Sequence, residues 1–194
     1  VPKGWSEVSY PSVKPLNSWF KDLIDRINFI QTWIKKGEPN VFWFPGFFFP
    51  QSFLTAVLQN HSRKYGVPID KLSFEAKIIE NDVDKIAHPA RDGAYIHGLF
   101  FDGAKWDMNL KSLDDIDTNA VYTNCPVIHI IPRENFVHPF EEYKCPVYRT
   151  PERAGVLSTT GLSTNFVVAL NIPTIDEPNK WTLRGTALLL STPY

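Results

Sequence analysis

Five histidines, two cysteines and one glycine-hydroxyl run are where this 194-residue protein could do chemistry. His61, His88, His97, His129 and His138 make no HxxxH or HExxH pair, and neither Cys125 nor Cys145 stands in a CxxC. Such spacings let one helix face or one turn present ligands to a single metal, so their absence argues against a metal site. The run Gly155 to Gly161 (GVLSTTG) comes nearest to a phosphate-binding loop. It lacks the lysine that reaches the phosphates, and its hydroxyls suit the backbone groups of a turn. No GxSxG elbow is present, although a Ser-His-Asp triad is a spatial arrangement and stays open.

Charged residues offer little more catalysis. Asp102, Asp107, Asp114, Asp115 and Asp117 cluster among polar neighbours, which reads as a solvated loop face. Acid–base work would need burial to shift their pKa values. Arg149, Arg153 and Arg184 carry forked guanidinium groups suited to carboxylates and carbonyl oxygens. They pair within the domain on one reading and with a partner on the other.

The elements that must position these residues follow from periodicity. Residues 1–15 hold Pro2, Pro11 and Pro15 with Trp5 and Tyr10, an extended lead-in lying on a surface. Asn17 or Ser18 can cap a first helix, which Gly37 followed by Pro39 ends. Its main apolar stripe is Phe20, Leu23, Ile24, Ile27, Ile30 and Ile34. Trp19, Phe29 and Trp33 fall outside that stripe and widen the apolar arc to roughly 220°, where one packing partner needs about 100°. The helix is either sunk deep in its own domain or clamped between this domain and another.

The stretch Val41 to Tyr65 organises the rest. Phe42, Trp43, Phe47, Phe48 and Phe49 crowd around a Pro45-Gly46 turn signal. Pro50 then suits the first turn of a helix carrying Phe53, Leu54, Val57, Leu58, His61 and Tyr65, and Gly66 ends it. So apolar a knot has to be buried in this domain or against something else.

Short strand patterns follow from Leu72 onward. Residues 72–78 alternate, residues 80–92 are a polar loop, and residues 93–101 form a strand with Asp102-Gly103 as a hairpin turn into 105–107. Residues 112–123 are acidic with a short possible helix, and 126–131, 145–149, 166–172 and 186–191 complete the strands. Helices first and strands after argue an α+β fold: an antiparallel sheet or small barrel of about six or seven short strands. Residues 1–194 read as one domain, with a helical preface over 1–66 and a β-rich part over 67–194.

Composition narrows the function. Hydrophobic residues at 43% and charged residues at 21% suit a globular protein with a core. A net charge of −1 leaves no electrostatic footprint for nucleic acid or an anionic membrane. No apolar run reaches the roughly 18 residues of a membrane span, and no signal peptide is present. Cys125 and Cys145 each precede Pro-Val and read as buried, reduced thiols. The sequence begins at Val1 with Met108 as its single methionine, which reads as a piece of a longer polypeptide.

FWFPGFFFPQSFLTAVLQNHSRKYGVPID (42–70) resembles the signature of the C-terminal domain of dynein heavy chains. GLFFDGAKWD (98–107), CPVIHIIP (125–132), YKCPVY (143–148), LSTTGLSTNFV (157–167) and KWTLRGTALLL (180–190) match in the family's order. The lead-in VPKGW…SYPSVKPL looks more like axonemal than cytoplasmic members. Leu162, Pro45 and the ending LLLSTPY depart from the usual pattern. The resemblance implies a non-catalytic domain packed on the AAA+ motor ring of the same polypeptide and modulating its mechanics. It implies no cofactor in this domain, with ATP and Mg in the full-length motor. Microtubules and other dynein subunits would be met only through the rest of the motor, in an axoneme of a cilium or flagellum. Trp19, Phe29, Trp33, Arg153 and Arg184 are the candidate ring-docking residues.

Two other readings are a small hydrolase or ligand-binding barrel, with a polar pocket of His97, His129 and Ser158, and a free-standing scaffold module. The missing phosphate-binding lysine yields a direct expectation: calorimetry of the 194-residue protein with ATP gives no saturable heat. A saturable signal abolished by mutating Ser158 or Thr159 would reverse it.

Overall fold

The computed structural model describes residues 2–10, 12–137, 141–153 and 165–193. The GVLSTTG run, Leu162 and His138 lie outside them. Four helices and eleven strands are present among the described residues: α1 (Lys3–Ser6), α2 (Leu16–Lys36), β1 (Val41–Trp43), α3 (Pro50–Tyr65), β2 (Leu72–Ile79), β3 (Ala94–His97), β4 (Phe100–Asp102), β5 (Lys105–Asp107), β6 (Ser112–Asp114), β7 (Tyr122–Asn124), β8 (Val127–Glu134), β9 (Glu142–Tyr148), β10 (Phe166–Pro173), α4 (Pro178–Arg184) and β11 (Ala187–Leu189). The α+β class and its order hold, with more strands than the sequence pattern resolves.

The strands form three sheets, ordered β1-β3-β8-β2, β10-β9-β11-β4-β7 and β5-β6. Most pairs are antiparallel, but β1 runs parallel to β3 and β11 parallel to β9. Two of the three sheets are therefore mixed, the β5-β6 pair being antiparallel, and they close into no barrel among the described residues. Asp102-Gly103 makes a turn, with Gly103 at φ 76°, yet not a hairpin. β4 pairs with β11 and β7, while β5 pairs with β6, so the turn leads from one sheet to another. The acidic stretch holds β6 and β7 instead of a helix. Helix α4 is an addition to the sequence reading, although Pro178 at its start and left-handed Gly185 at its end are ordinary boundary signals.

Helix α2 begins behind Pro15, two residues before the caps that the sequence offers. Its inward face is Trp19, Asp22, Leu23, Arg26, Phe29, Ile30 and Trp33, a helical stripe with a charged pair at its centre. Phe29 and Trp33 enter the aromatic knot. Phe29 meets Trp43 and Phe47 edge-on at centroid distances of 6.0 and 5.6 Å, and Trp33 meets Phe42 at 5.2 Å. Phe53 on α3 closes the cluster by stacking on Phe47 at 4.5 Å. Gly46 is needed there for space rather than for its φ. A Cβ on it would come within 2.6 Å of Trp43 and 2.8 Å of Phe29.

Charge is buried in the same face. Asp22 and Arg26 are 7% and 5% exposed. Arg26 Nε donates to Asp22 Oδ2 at 2.7 Å, Tyr10 Oη donates to the same oxygen at 2.7 Å, and Lys14 Nζ donates to Oδ1 at 3.0 Å. The Arg26 guanidinium lies 4.0 Å over the Tyr10 ring and donates to the Phe47 carbonyl at 3.3 Å. Tyr10 also stacks on Trp19. The lead-in is thus bolted to α2, and α2 to the knot, by one carboxylate and one guanidinium. Burial alone would raise the Asp22 carboxyl, but the hydrogen bonds from Arg26, Tyr10 and Lys14 outweigh it and hold it below the ordinary carboxylate value.

The core continues from Phe42, Phe44 and Leu54 into Ile96, Phe101, Ile128, Ile130, Leu170 and Leu188 of the sheets. Trp181 of α4 is wholly buried in it, and its indole N–H donates to Thr174 Oγ1 at 2.7 Å. Arg149 ties the second sheet to the knot by donating to the Phe48 carbonyl at 3.1 Å and to Gln51 Oε1 at 2.8 Å.

Two expectations follow. Phe29→Ala with Trp33→Ala removes two partly buried rings from the knot and costs about 3 kcal/mol or more, since truncating one fully buried ring costs about 3–5 kcal/mol. Circular dichroism of the 194-residue protein should then show a melting temperature lowered by about 10 °C or more, whereas a melting curve close to wild type would place those rings outside the core. Asp22→Asn leaves the Arg26 charge buried and unmatched, which costs about 3 kcal/mol near neutral pH. Because the folded-state pKa of Asp22 is depressed, its contribution is present above the unfolded value and is lost as pH falls through the folded one. Denaturant titrations should therefore find the gap between wild type and Asp22→Asn widest near pH 7 and narrowing below about pH 4. A gap independent of pH would assign the loss to packing instead.

Candidate functional site

The sequence marks Trp19, Phe29 and Trp33 as surplus aromatics available to a partner. The structure turns all three inward. Trp19 is 5% exposed, and Phe29 and Trp33 pack on the core. The apolar face of α2 left in solvent is the other one: Phe20 at 52% exposed, Ile24, Ile27 and, near its end, Ile34 at 79%. Hydrophobicity alone picks Phe20, Ile24 and Ile27 as the buried stripe, because Asp22 and Arg26 disqualify the true one. Pairing the two charges makes their face buriable, and the aromatic rings beside them then decide the matter.

The arginines also find partners at home. Arg153 Nη2 donates to Asp102 Oδ2 at 2.6 Å, and Arg184 Nη1 to Asp115 Oδ1 at 2.5 Å. Lys180 joins Asp115 at 2.9 Å. Asp107 caps a turn by accepting from the Asn109 and Leu110 N–H groups, and Lys105 meets Asp117 at 2.9 Å. The acidic cluster is therefore occupied by structural pairs. Asp115 sits below the ordinary carboxylate value, chiefly through Lys180, as an exposed ion pair would hold it.

His129 Nε2 lies 2.8 Å from the Asp92 carbonyl oxygen and its ring packs on Tyr95. His97, on β3, is half-buried, and burial lowers its pKa. Its neighbours in a cavity of about 480 Å³ include Leu99, Met108 and Cys125. The third residue of the candidate pocket, Ser158, lies outside the described residues. Among the described residues no three metal-ligating side chains converge. Cys125 and Cys145 are buried and in no disulfide, and burial pushes both thiols well above the ordinary value. Such thiols react slowly. Tyr143 is pushed up to about 12 by burial and donates to the Thr186 carbonyl at 2.7 Å. No helix is long and apolar enough to cross a membrane among the described residues.

What the surface does offer is one long helix with a continuous apolar stripe. Along its 21 residues α2 extends about 32 Å at 1.5 Å per residue. Phe20, Ile24 and Ile27 occupy adjacent turns of it, offset by about 120° from the buried face at 100° per residue. The lead-in and the knot occupy its far side.

Comparison with known proteins places the sequence. It matches the family described as the C-terminal domain of the dynein heavy chain over residues 1–190. Human dynein axonemal heavy chain 1 is 45% identical over 195 residues, covering 100% of this sequence and 5% of that protein. Dynein axonemal heavy chain 12 of Rattus norvegicus is 44% identical over 190 residues, covering 97% of this sequence and 6% of that protein. Dynein axonemal heavy chain 3 of Mus musculus is 46% identical over 192 residues, covering 97% of this sequence and 5% of that protein. The 194 residues thus span only about one-twentieth of the length of the curated relatives they match. By this family match across nearly its whole length, the protein belongs to the family of C-terminal domains of dynein heavy chains.

Proposed function

We propose that this protein is the non-catalytic C-terminal domain of an axonemal dynein heavy chain, docked on the AAA+ ring of the same polypeptide through the outer face of α2. The observation that carries this reading is the exposed stripe of Phe20, Ile24, Ile27 and Ile34 on a helix whose other side is fully engaged. The occupant is argued from length. About nineteen-twentieths of each relative lies outside the matched region, so a large covalently attached surface is always near α2. Tethering of that kind raises the effective concentration to the millimolar range and makes a modest apolar contact persistent. The domain modulates the motor by the rigidity of this contact. ATP and Mg belong to the ring, and microtubules and other dynein subunits are met through the rest of the motor, in the axoneme of a cilium or flagellum. Arg153 and Arg184 act by holding loops in shape within the domain, and the lead-in, α2 and sheets work as one unit over residues 1–194.

The test is Ile24→Glu with Ile27→Glu, made in the 194-residue protein and in the full heavy chain. Each Ile buried at the contact contributes about 1.5–3 kcal/mol, so the pair weakens docking by about two orders of magnitude or more. The melting temperature of the isolated domain should stay within a few degrees of wild type, because both side chains already face water. Electron microscopy of the motor should show the domain released from the ring, with altered stepping or gliding. A motor that keeps the domain seated after this change would move the docking surface off α2.

A further inference from the structure

Arg149, directly after β9, brings a guanidinium up to the aromatic knot. Its partners, the Phe48 carbonyl at 3.1 Å and Gln51 Oε1 at 2.8 Å, are both uncharged. Its Nε is buried and has no acceptor among the described residues. The charge nearest to it in effect is another cation: burial and the Arg26 charge together hold the Arg149 pKa below its ordinary value. Arg26 is itself 5% exposed and shares Asp22 with Lys14. Its bonds to Asp22 and to the Phe47 carbonyl use Nε and Nη1, and Nη2 takes part in neither. Lys14, Arg26 and Arg149 thus stand against one carboxylate, Asp22, among the described residues. A cavity of about 20 Å³ is lined by both arginines, with Tyr10, Phe47, Phe48 and Ser191 in its walls.

We propose that this cavity is a binding site for a single monatomic anion, chloride being the abundant one, held by Arg26 and Arg149. Charge calls for an anion. A guanidinium taken out of water beside a second one is costly until a counterion neutralises the excess. A water molecule could accept from Arg149 Nε, but it would leave that excess of positive charge in place. Size selects among anions. A water needs about 10–15 Å³ of such volume, so the cavity takes one particle of about that size and no polyatomic anion such as sulfate. Arg149 already joins the end of β9 to the knot, and an anion shared with Arg26 extends that junction to α2. The site lies apart from the outer face of α2, and neither proposal rests on the other.

The test follows thermal unfolding of the 194-residue protein while sodium chloride replaces sodium gluconate at constant ionic strength. The melting temperature should rise by about 2–4 °C, the effect of a ligand present several-fold above its Kd. Bromide should act as chloride does, whereas sulfate and formate should leave the gluconate value unchanged. Arg149→Gln should abolish the difference between chloride and gluconate. Arg63→Gln, at an exposed position on α3, should keep it. Crystals grown in bromide should show an anomalous peak within contact distance of both guanidinium groups, and that peak decides the point if Arg149→Gln does not fold. The proposal is overturned by a melting temperature indifferent to chloride, by a chloride effect that survives in folded Arg149→Gln, or by a bromide map with no peak in the cavity. It is equally overturned if formate stabilises as chloride does, since a carboxylate is then the occupant. A bromide peak without stabilisation in solution marks an adventitious ion only, and that too overturns it.

Discussion

The Asp22–Arg26 pair is the contact on which the architecture of the helical region turns. Two opposite charges at adjacent turns of α2 are buried together, and neither could be buried alone. Once paired, they admit the face that carries Trp19, Phe29 and Trp33, and that face meets the knot. The same carboxylate accepts from Tyr10 and Lys14, so the lead-in is placed by the atom that orients the helix. The same guanidinium reaches the Phe47 carbonyl, so the knot is placed by it too. A pair of this kind adds little over an apolar pair of equal size, but it penalises every arrangement that leaves one charge unmatched.

From that anchor, order passes into the sheets through aromatic contacts rather than through long ladders. β1 is three residues long and carries Phe42 into the α2–α3 cluster while pairing in parallel with β3. Arg149 and Gln51 then join the exit of the knot to β9 and β10. Short strands, mixed pairing and a wholly buried Trp181 give a core assembled by packing, with few long continuous ladders apart from β2–β8 and β9–β10.

A domain built this way leaves one apolar helix face, Phe20, Ile24 and Ile27 of α2, in solvent. The histidines, thiols and carboxylates described above are engaged in hydrogen bonds, ion pairs or burial.

Much of this was legible in the residues. Pro50 and Gly66 bounded α3, Gly37 ended α2, alternation marked β2, and six sequence blocks pointed to the family. Those signals are local: φ restrictions, missing N–H groups and period-two alternation act within a few residues. Three things needed the tertiary structure. Which strands pair was one, since Asp102-Gly103 looks like a hairpin from either side and only distant β11 and β6 separate β4 from β5. Why Gly46 is glycine was another, because the reason is the packing of two rings, Trp43 from nearby in sequence and Phe29 arriving from α2. The last was the orientation of α2. Sequence determined that more than half of its circumference is apolar, but not which part is buried. That choice rested on whether two charges could be neutralised by each other and by a tyrosine twelve residues upstream of Asp22, and a contact at that separation exists only once the lead-in has folded back on the helix.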